Sequence, residues 1–293
     1  MKEGLISPEN GKQVIYDFFT KGTQATQTGG QIGMEIETDF VLEDGVTPIT
    51  EGVSRAILAA EAVPWEPKLE LGRQKIEIAI PPQLSSAELF EQANEGLEWL
   101  YGRARSFGAF PKLEPDFNFE GNLLWVQEER DALWANLDGQ DALEELTRCS
   151  SIQFTMDVNP RDAISIINTL ISADCRIDYQ TNDRRWLNYI SRSVANYSPD
   201  RYRGPQGFES MGNYVDELAK QDILMYKGEP VRLSPEQTPD LDVNLFLRSV
   251  WWDYRLRRYG NNLTIEMRPF GRCRDEQMSE VWNQVAQTIG VSL

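Results

Sequence analysis

The sequence predicts an α+β protein in which helices pack on the apolar face of an antiparallel sheet. Three observations carry this expectation. Four segments alternate apolar and polar residues with a period of two, as strands with one buried face do. Two stretches repeat apolar residues at helical spacing behind clear start signals. Strand-like segments come early, in the middle and late, with helices between them, which suits a sheet covered on one side and open on the other.

The strands come first. In Gln31 to Phe40, Ile32, Met34, Ile36 and Phe40 share one face, and Gly33, Glu35, Glu37 and Asp39 share the other. In Lys75 to Ile80, Ile76, Ile78 and Ile80 oppose Glu77, and Pro81-Pro82 is expected to end the strand. In Ser151 to Val158, Ile152, Phe154, Met156 and Val158 oppose Gln153, Thr155 and Asp157. In the last strand Leu263, Ile265 and Met267 oppose Thr264, Glu266 and Arg268.

The helices follow. Ser85 and Glu88 read as a capping box ahead of Leu89, Ala93, Leu97, Leu100 and Ala104. Asn159-Pro160 reads as the cap and first residue of a second helix with Ile164, Ile167, Leu170 and Ile171 buried. Further helices are expected near residues 141–146, 213–221 and 275–288. Proline and glycine mark residues 199–212 and 228–239 as loops. Residues 1–293 are expected to form a single domain.

Composition narrows the chemistry. The chain is 41% apolar, enough for a core, and carries a net charge of −17, which repels phosphate backbones and anionic lipid. Nucleic acid and membrane surfaces are therefore not expected as partners. The polar, mixed-charge stretch from Met1 to Phe19 is unlike a signal peptide. The three cysteines are too few and too dispersed for a disulfide framework or a zinc motif, and a cytoplasmic protein is expected. The chain contains no histidine. That removes Ser-His-Asp and Cys-His nucleophiles, His-ligated zinc and a His base, and leaves carboxylates, Arg, Lys, Tyr, Cys and hard metals.

The polar strand faces concentrate such groups: Glu35, Glu37, Asp39, Glu77, Gln153, Thr155, Asp157, Glu266 and Arg268. Solvated faces usually mix lysine with glutamate, and here only Lys75 and Arg268 are basic. Like charges on adjacent strands cost roughly 0.2–1 kcal/mol per pair. If these strands are neighbours, something cationic should lie over the face, and Mg²⁺ shared with substrate phosphates would serve.

These residues resemble those of the glutamate–cysteine ligase family. Gly33-Met34-Glu35-Ile36-Glu37 is similar to its G-x-E-x-E opening, and Glu70 to Glu77 resembles its second acidic strand. Ser151 to Asp157 is similar to the plant-type V-Q-V-N-L-D strand. Trp252 to Tyr259, followed by Ile265-Glu266-Met267-Arg268, resembles the R-L-(K/R) segment and E-x-R strand. The motifs keep family order across residues 31–270.

The resemblance implies a glutamine-synthetase-like fold, a curved antiparallel funnel with helices outside and a polar inner face. It implies ATP as co-substrate and Mg²⁺ or Mn²⁺ on Glu35, Glu37, Glu70, Glu77 and Glu266. Arg268 would hold the transferring phosphate, Arg255 would be a second clamp, and Gln153 would contact metal or phosphate. Thr155 stands where the family usually has Asn. For the arginine that grips the amino-acid carboxylate, Arg192, Arg201 and Arg203 are the candidates. The implied reaction activates a glutamate γ-carboxylate as an acyl phosphate, which an amine then attacks. That chemistry asks for positioning and charge stabilisation rather than a histidine nucleophile. Two other readings stay open: an amidoligase acting on a peptide or protein, and a non-catalytic relative that binds nucleotide or amino acid.

Overall fold

The computed structural model describes residues 9–59, 63–127, 129–175, 180–238 and 240–291. Its strands are β1 (Ile32–Leu42), β2 (Glu66–Leu69), β3 (Lys75–Gln83), β4 (Ala109–Lys112), β5 (Ser151–Asp157), β6 (Tyr202–Arg203), β7 (Ile223–Tyr226), β8 (Glu229–Leu233), β9 (Trp251–Trp252), β10 (Tyr254–Tyr259) and β11 (Asn262–Gly271). Its helices are α1 (Glu9–Thr20), α2 (Glu51–Leu58), α3 (Ser86–Ser106), α4 (Glu129–Asp138), α5 (Gln140–Leu146), α6 (Ala163–Ala173), α7 (Gln180–Arg192), α8 (Met211–Ala219), α9 (Val243–Leu247) and α10 (Met278–Ile289).

The main sheet runs β10-β11-β5-β1-β3-β2, with β4 added beside the end of β1, and every pairing in it is antiparallel. Strand alternation sends Ile32, Met34, Ile36, Ile76, Ile78, Ile152, Phe154, Met156, Ile265 and Met267 into one core, each at most 2% exposed. Helices cover that side. The Phe154 ring meets Phe90 of α3 at 6.5 Å and Trp282 of α10 at 5.3 Å. Gly96 lets α3 approach β3: a Cβ there would lie 3.3 Å from the Trp65 ring and 3.4 Å from Ile80. The opposite face of the sheet keeps its polar side chains and floors a cleft.

Local signals explain most boundaries. Ser85 Oγ accepts from the Glu88 N–H at 3.2 Å, the expected cap of α3. The second helix starts later than its sequence suggested. Residues 159–162 form a turn, in which the Arg161 N–H donates to Asn159 Oδ1 at 3.0 Å, and α6 begins at Ala163 behind Asp162. Nor does Pro81-Pro82 end β3. The strand continues to Gln83 because the β1 pairing shifts register between Ile32 and Met34, and a bulge there absorbs both prolines.

The two predicted loops also hold structure. Residues 199–212 contain a 3₁₀ turn and β6. Residues 228–239 contain β8, joined to β7 by Lys227 (φ 52) and Gly228 (φ 82), the left-handed pair that a two-residue hairpin needs. Pro239, and the start of the Met1 to Phe19 segment, lie outside the described residues. All three cysteines are free thiols and buried. No helix among the described residues is long and apolar enough to cross a membrane.

A second cluster lies beside the main core, built from α4, α5, α7, β6 and β9. Trp186 stacks on Tyr202 at 5.3 Å, and Trp251 sits 5.5 Å from both Trp134 and Trp186. Buried Asp138 ties it together by accepting from the hydroxyls of Tyr189 at 2.8 Å and Ser193 at 3.0 Å, and from that of Tyr197.

Candidate active site

A cleft of about 1120 Å³ lies over the polar face of the sheet. Its floor follows from register. Glu37 faces Glu77 across β1 and β3, and Glu35 faces Gln153 across β1 and β5. Glu266 faces Thr155 on one side and Arg255 on the other. Lys68 of β2 stands opposite Glu77. Because side chains alternate along each strand, these residues all rise on the same side.

The floor has two halves of different character. On β10, β11 and β5, Glu266 is enclosed by arginines. Its Oε2 accepts from Arg255 Nε at 2.7 Å, and its Oε1 accepts from Arg255 Nη2 and from Arg268 Nη1, each at 2.9 Å. Burial by itself would raise the Glu266 pKa, but Arg255, Arg268 and Arg257 together hold it well below the usual carboxylate range. Arg268 Nη1 also donates to Gln153 Oε1 at 2.6 Å.

On β1, β2 and β3 the balance reverses. Burial first, then Glu35, Glu70 and Glu37, push Glu77 well above the ordinary range, and Lys68 only partly offsets this from 3.6 Å. Glu35 is raised by burial and then by Glu266. Glu37 is anchored by the Ser151 N–H at 2.8 Å and lies 3.8 Å from Lys75, whose own ammonium donates to the Cys149 carbonyl. Lys75 stays charged although buried, because Asp39 and Glu37 outweigh the desolvation. The cleft's other end is aromatic, lined by Trp134, Trp186, Tyr202 and Trp251.

The structure therefore brings Glu35, Glu37, Glu70, Glu77, Glu266, Thr155, Arg255 and Arg268 to one cleft, with Gln153 behind Arg268. The three candidates for gripping the amino-acid carboxylate do not line it. Arg192 is at the surface and pairs with Glu145 at 2.5 Å. Arg203 pairs with Asp183 through Nε at 2.8 Å. Arg201 is fully enclosed, donates to the Asp222 carbonyl at 2.8 Å, and packs over Tyr197 and Trp251; burial pulls its pKa down to about 10. These side chains hold the second cluster together.

Sequence reasoning missed several cleft residues. Lys68 faces Glu77 and Glu66. Arg257 lines the cleft as well, and its signal was present: Asp253, Arg255, Arg257 and Tyr259 continue the period-two alternation of β10 onto the polar side. Lys68, Arg255 and Arg257 thus supply part of the positive charge that the acidic strands seemed to demand from outside. The aromatic end had no local signal, because its residues come from four separate elements.

The acidic half suits a hard divalent cation in its chemistry, since its donors are carboxylates, two of which, Glu35 and Glu77, are raised by burial and by neighbouring carboxylates. Among the described residues, no three carboxylate, thiolate or imidazole groups converge into a ready-made metal centre. Mg²⁺ bound through one or two carboxylates plus substrate phosphates needs no such centre. Both oxygens of Glu266, by contrast, are engaged by arginine.

Fold and cleft define an α+β protein with an open antiparallel sheet, apolar and helix-covered on one side and charged on the other. Solved ligases share this fold. A bifunctional glutathione synthetase from Pasteurella multocida superposes with a TM-score of 0.53 at 11% identity, over 97% of this chain and 41% of its own. A glutamate–cysteine ligase from Francisella tularensis, solved with AMP, superposes with a TM-score of 0.50 at 10% identity, over 91% of this chain and 68% of its own. The chain thus spans under half the length of the synthetase. No protein-family profile and no curated protein sequence matches it.

Proposed function

We propose that this chain is an ATP-dependent carboxylate–amine ligase, acting as one catalytic unit and forming a γ-glutamyl-type amide through an acyl phosphate. The observation that carries this reading is the split floor of the cleft: repelling carboxylates on β1 and β3 beside an arginine cluster on β10 and β11. A carboxylate is a poor electrophile, and joining it to an amine requires activation. Bringing a carboxylate to a triphosphate requires that their repulsion be neutralised from both sides.

In this reading Glu35 and Glu77, with Glu37 and Glu70 close by, hold Mg²⁺ or Mn²⁺. The metal, when bound, screens the phosphates and polarises the bond to the transferring phosphoryl group. Arg268, steadied by Gln153 and Glu266, faces the transferring phosphate, and Glu266 acts as an arginine anchor. The fold shared with glutamate–cysteine ligase and glutathione synthetase supports glutamate as donor and a small amine as acceptor.

The test is ADP release from Mg²⁺-ATP and glutamate with a panel of amines led by cysteine. Release that needs both glutamate and one amine is the expected result and names the acceptor. Release only with peptide amines moves the assignment to an amidoligase. Absence of both ADP release and nucleotide binding overturns the proposal.

A further inference from the structure

The three arginines of the β10–β11 hairpin differ in how their donors are used. Arg255 commits four of its five N–H donors: Nε and one N–H of Nη2 go to Glu266, and Nη1 to the carbonyls of Leu247 and Val250. A single N–H on Nη2 is left over. Arg268 is engaged through Nη1 by Gln153 and Glu266.

Arg257 is different. The residue is 9% exposed, and its Nε and Nη1 are closed off from solvent with no acceptor in hydrogen-bonding reach. The nearest carboxylate oxygen, Glu266 Oε2, is 3.8 Å from Nε and already accepts from Arg255. Buried guanidinium donors without acceptors are costly, and proteins rarely leave them so unless a ligand supplies the acceptor. Arg257 lines the cleft, and its strand position opposite Thr264 places it next in line to the Arg255–Glu266 pair. A planar fork of donors suits the oxygens of phosphate or carboxylate.

We propose that Arg257 is the oxyanion receptor of the cleft, binding a phosphate or carboxylate oxygen of the ligand, while Arg255 only anchors Glu266. This rests on the ligase reading for its ligands: the nucleotide's phosphates or the donor's carboxylate. The role that sequence resemblance assigned to Arg255 passes to the residue two positions on.

The experiment uses the full chain and the variants Arg257→Met and Arg257→Lys. Melting temperature and calorimetric affinity are measured with ATP, with inorganic tripolyphosphate and with glutamate. Without ligand, Arg257→Met is expected to stay folded with a melting temperature close to wild type, because it removes donors that lack acceptors and the attraction to Glu266 together. With ligand, its affinity for one oxyanion is expected to fall by about tenfold or more, with partial recovery in Arg257→Lys. A loss confined to ATP and tripolyphosphate assigns phosphate, and a loss confined to glutamate assigns carboxylate. Wild-type affinity of Arg257→Met for every probe overturns this inference alone. Failure of the wild-type chain to bind ATP, tripolyphosphate or glutamate overturns the ligase reading and this inference with it.

Discussion

Glu266 and Glu77 lie on the same face of the same sheet, both nearly buried, and their acidities move in opposite directions. Arginine donors surround Glu266 and hold it ionised. Glu77 faces other carboxylates, with Lys68 at 3.6 Å as its close cation, and resists ionisation. The difference shows that residue type and burial do not set the charge state of a site. The neighbouring strand does, and register chooses the neighbour.

The largest effect expected from this contrast is at Glu266. Glu266→Gln leaves Arg255 buried without its counter-charge, and breaking a buried pair in this way costs about 3–5 kcal/mol. Urea denaturation should show the midpoint falling sharply. An unchanged midpoint would remove Glu266 as the anchor of the arginine half.

Next come the acidic residues, where the same change should act in reverse. Glu77→Gln and Glu35→Gln relieve repulsion, so the metal-free chain should be as stable as wild type or more so. Ligase turnover should nevertheless fall, on the order of 100-fold for a lost metal contact. Turnover that survives either change would show that these carboxylates hold no metal.

Glu77 has a folded-state pKa above its unfolded value of about 4.5. Its contribution to stability is therefore present below that value and is lost as pH rises through the folded pKa. Glu266, held low, contributes above the unfolded value and loses its contribution only in strong acid. The stability of wild type minus that of Glu77→Gln, measured without metal, should decline as pH rises above about 4.5, and Mg²⁺ should reduce the decline. A difference that grows with pH would reverse the assignment.

The smallest effect is expected at Gly33, on the cleft floor opposite Thr155. A Cβ there would meet the Ile80 carbonyl at 3.6 Å and Pro82 Cγ at 3.7 Å, ordinary contacts. Gly33→Ala should change stability by less than about 1 kcal/mol, toward greater stability, since glycine weakens a strand interior. A loss of several kcal/mol would mean that the bulge beside it needs glycine.

Much of the floor was legible because strand alternation is local. Glu35, Glu37 and Glu77 could be assigned to a polar face from their own segments alone, and Glu266 and Arg268 likewise. Arg257 was equally legible as a polar-face residue of its strand. The arginines of residues 192–203 lie away from the cleft, and their own segments could not show it. A charged residue in a polar segment carries no mark that its partner, such as Glu145 or Asp183, lies elsewhere in the fold. Trp186 and Tyr202 belong to a helix and a two-residue strand distant in sequence, which meet through ring stacking and through hydrogen bonds to Asp183.

The sequence by itself determined the two-sided strands, the cap of α3, the apolar helix stripes and the exclusion of histidine chemistry, because each depends on residues a few positions apart. Only the tertiary structure decided which carboxylates stand ionised, which arginine has donors to spare, and where the cleft becomes aromatic. Those outcomes depend on groups from distant segments meeting at a few ångströms, and electrostatic energies and hydrogen bonds change decisively over that range.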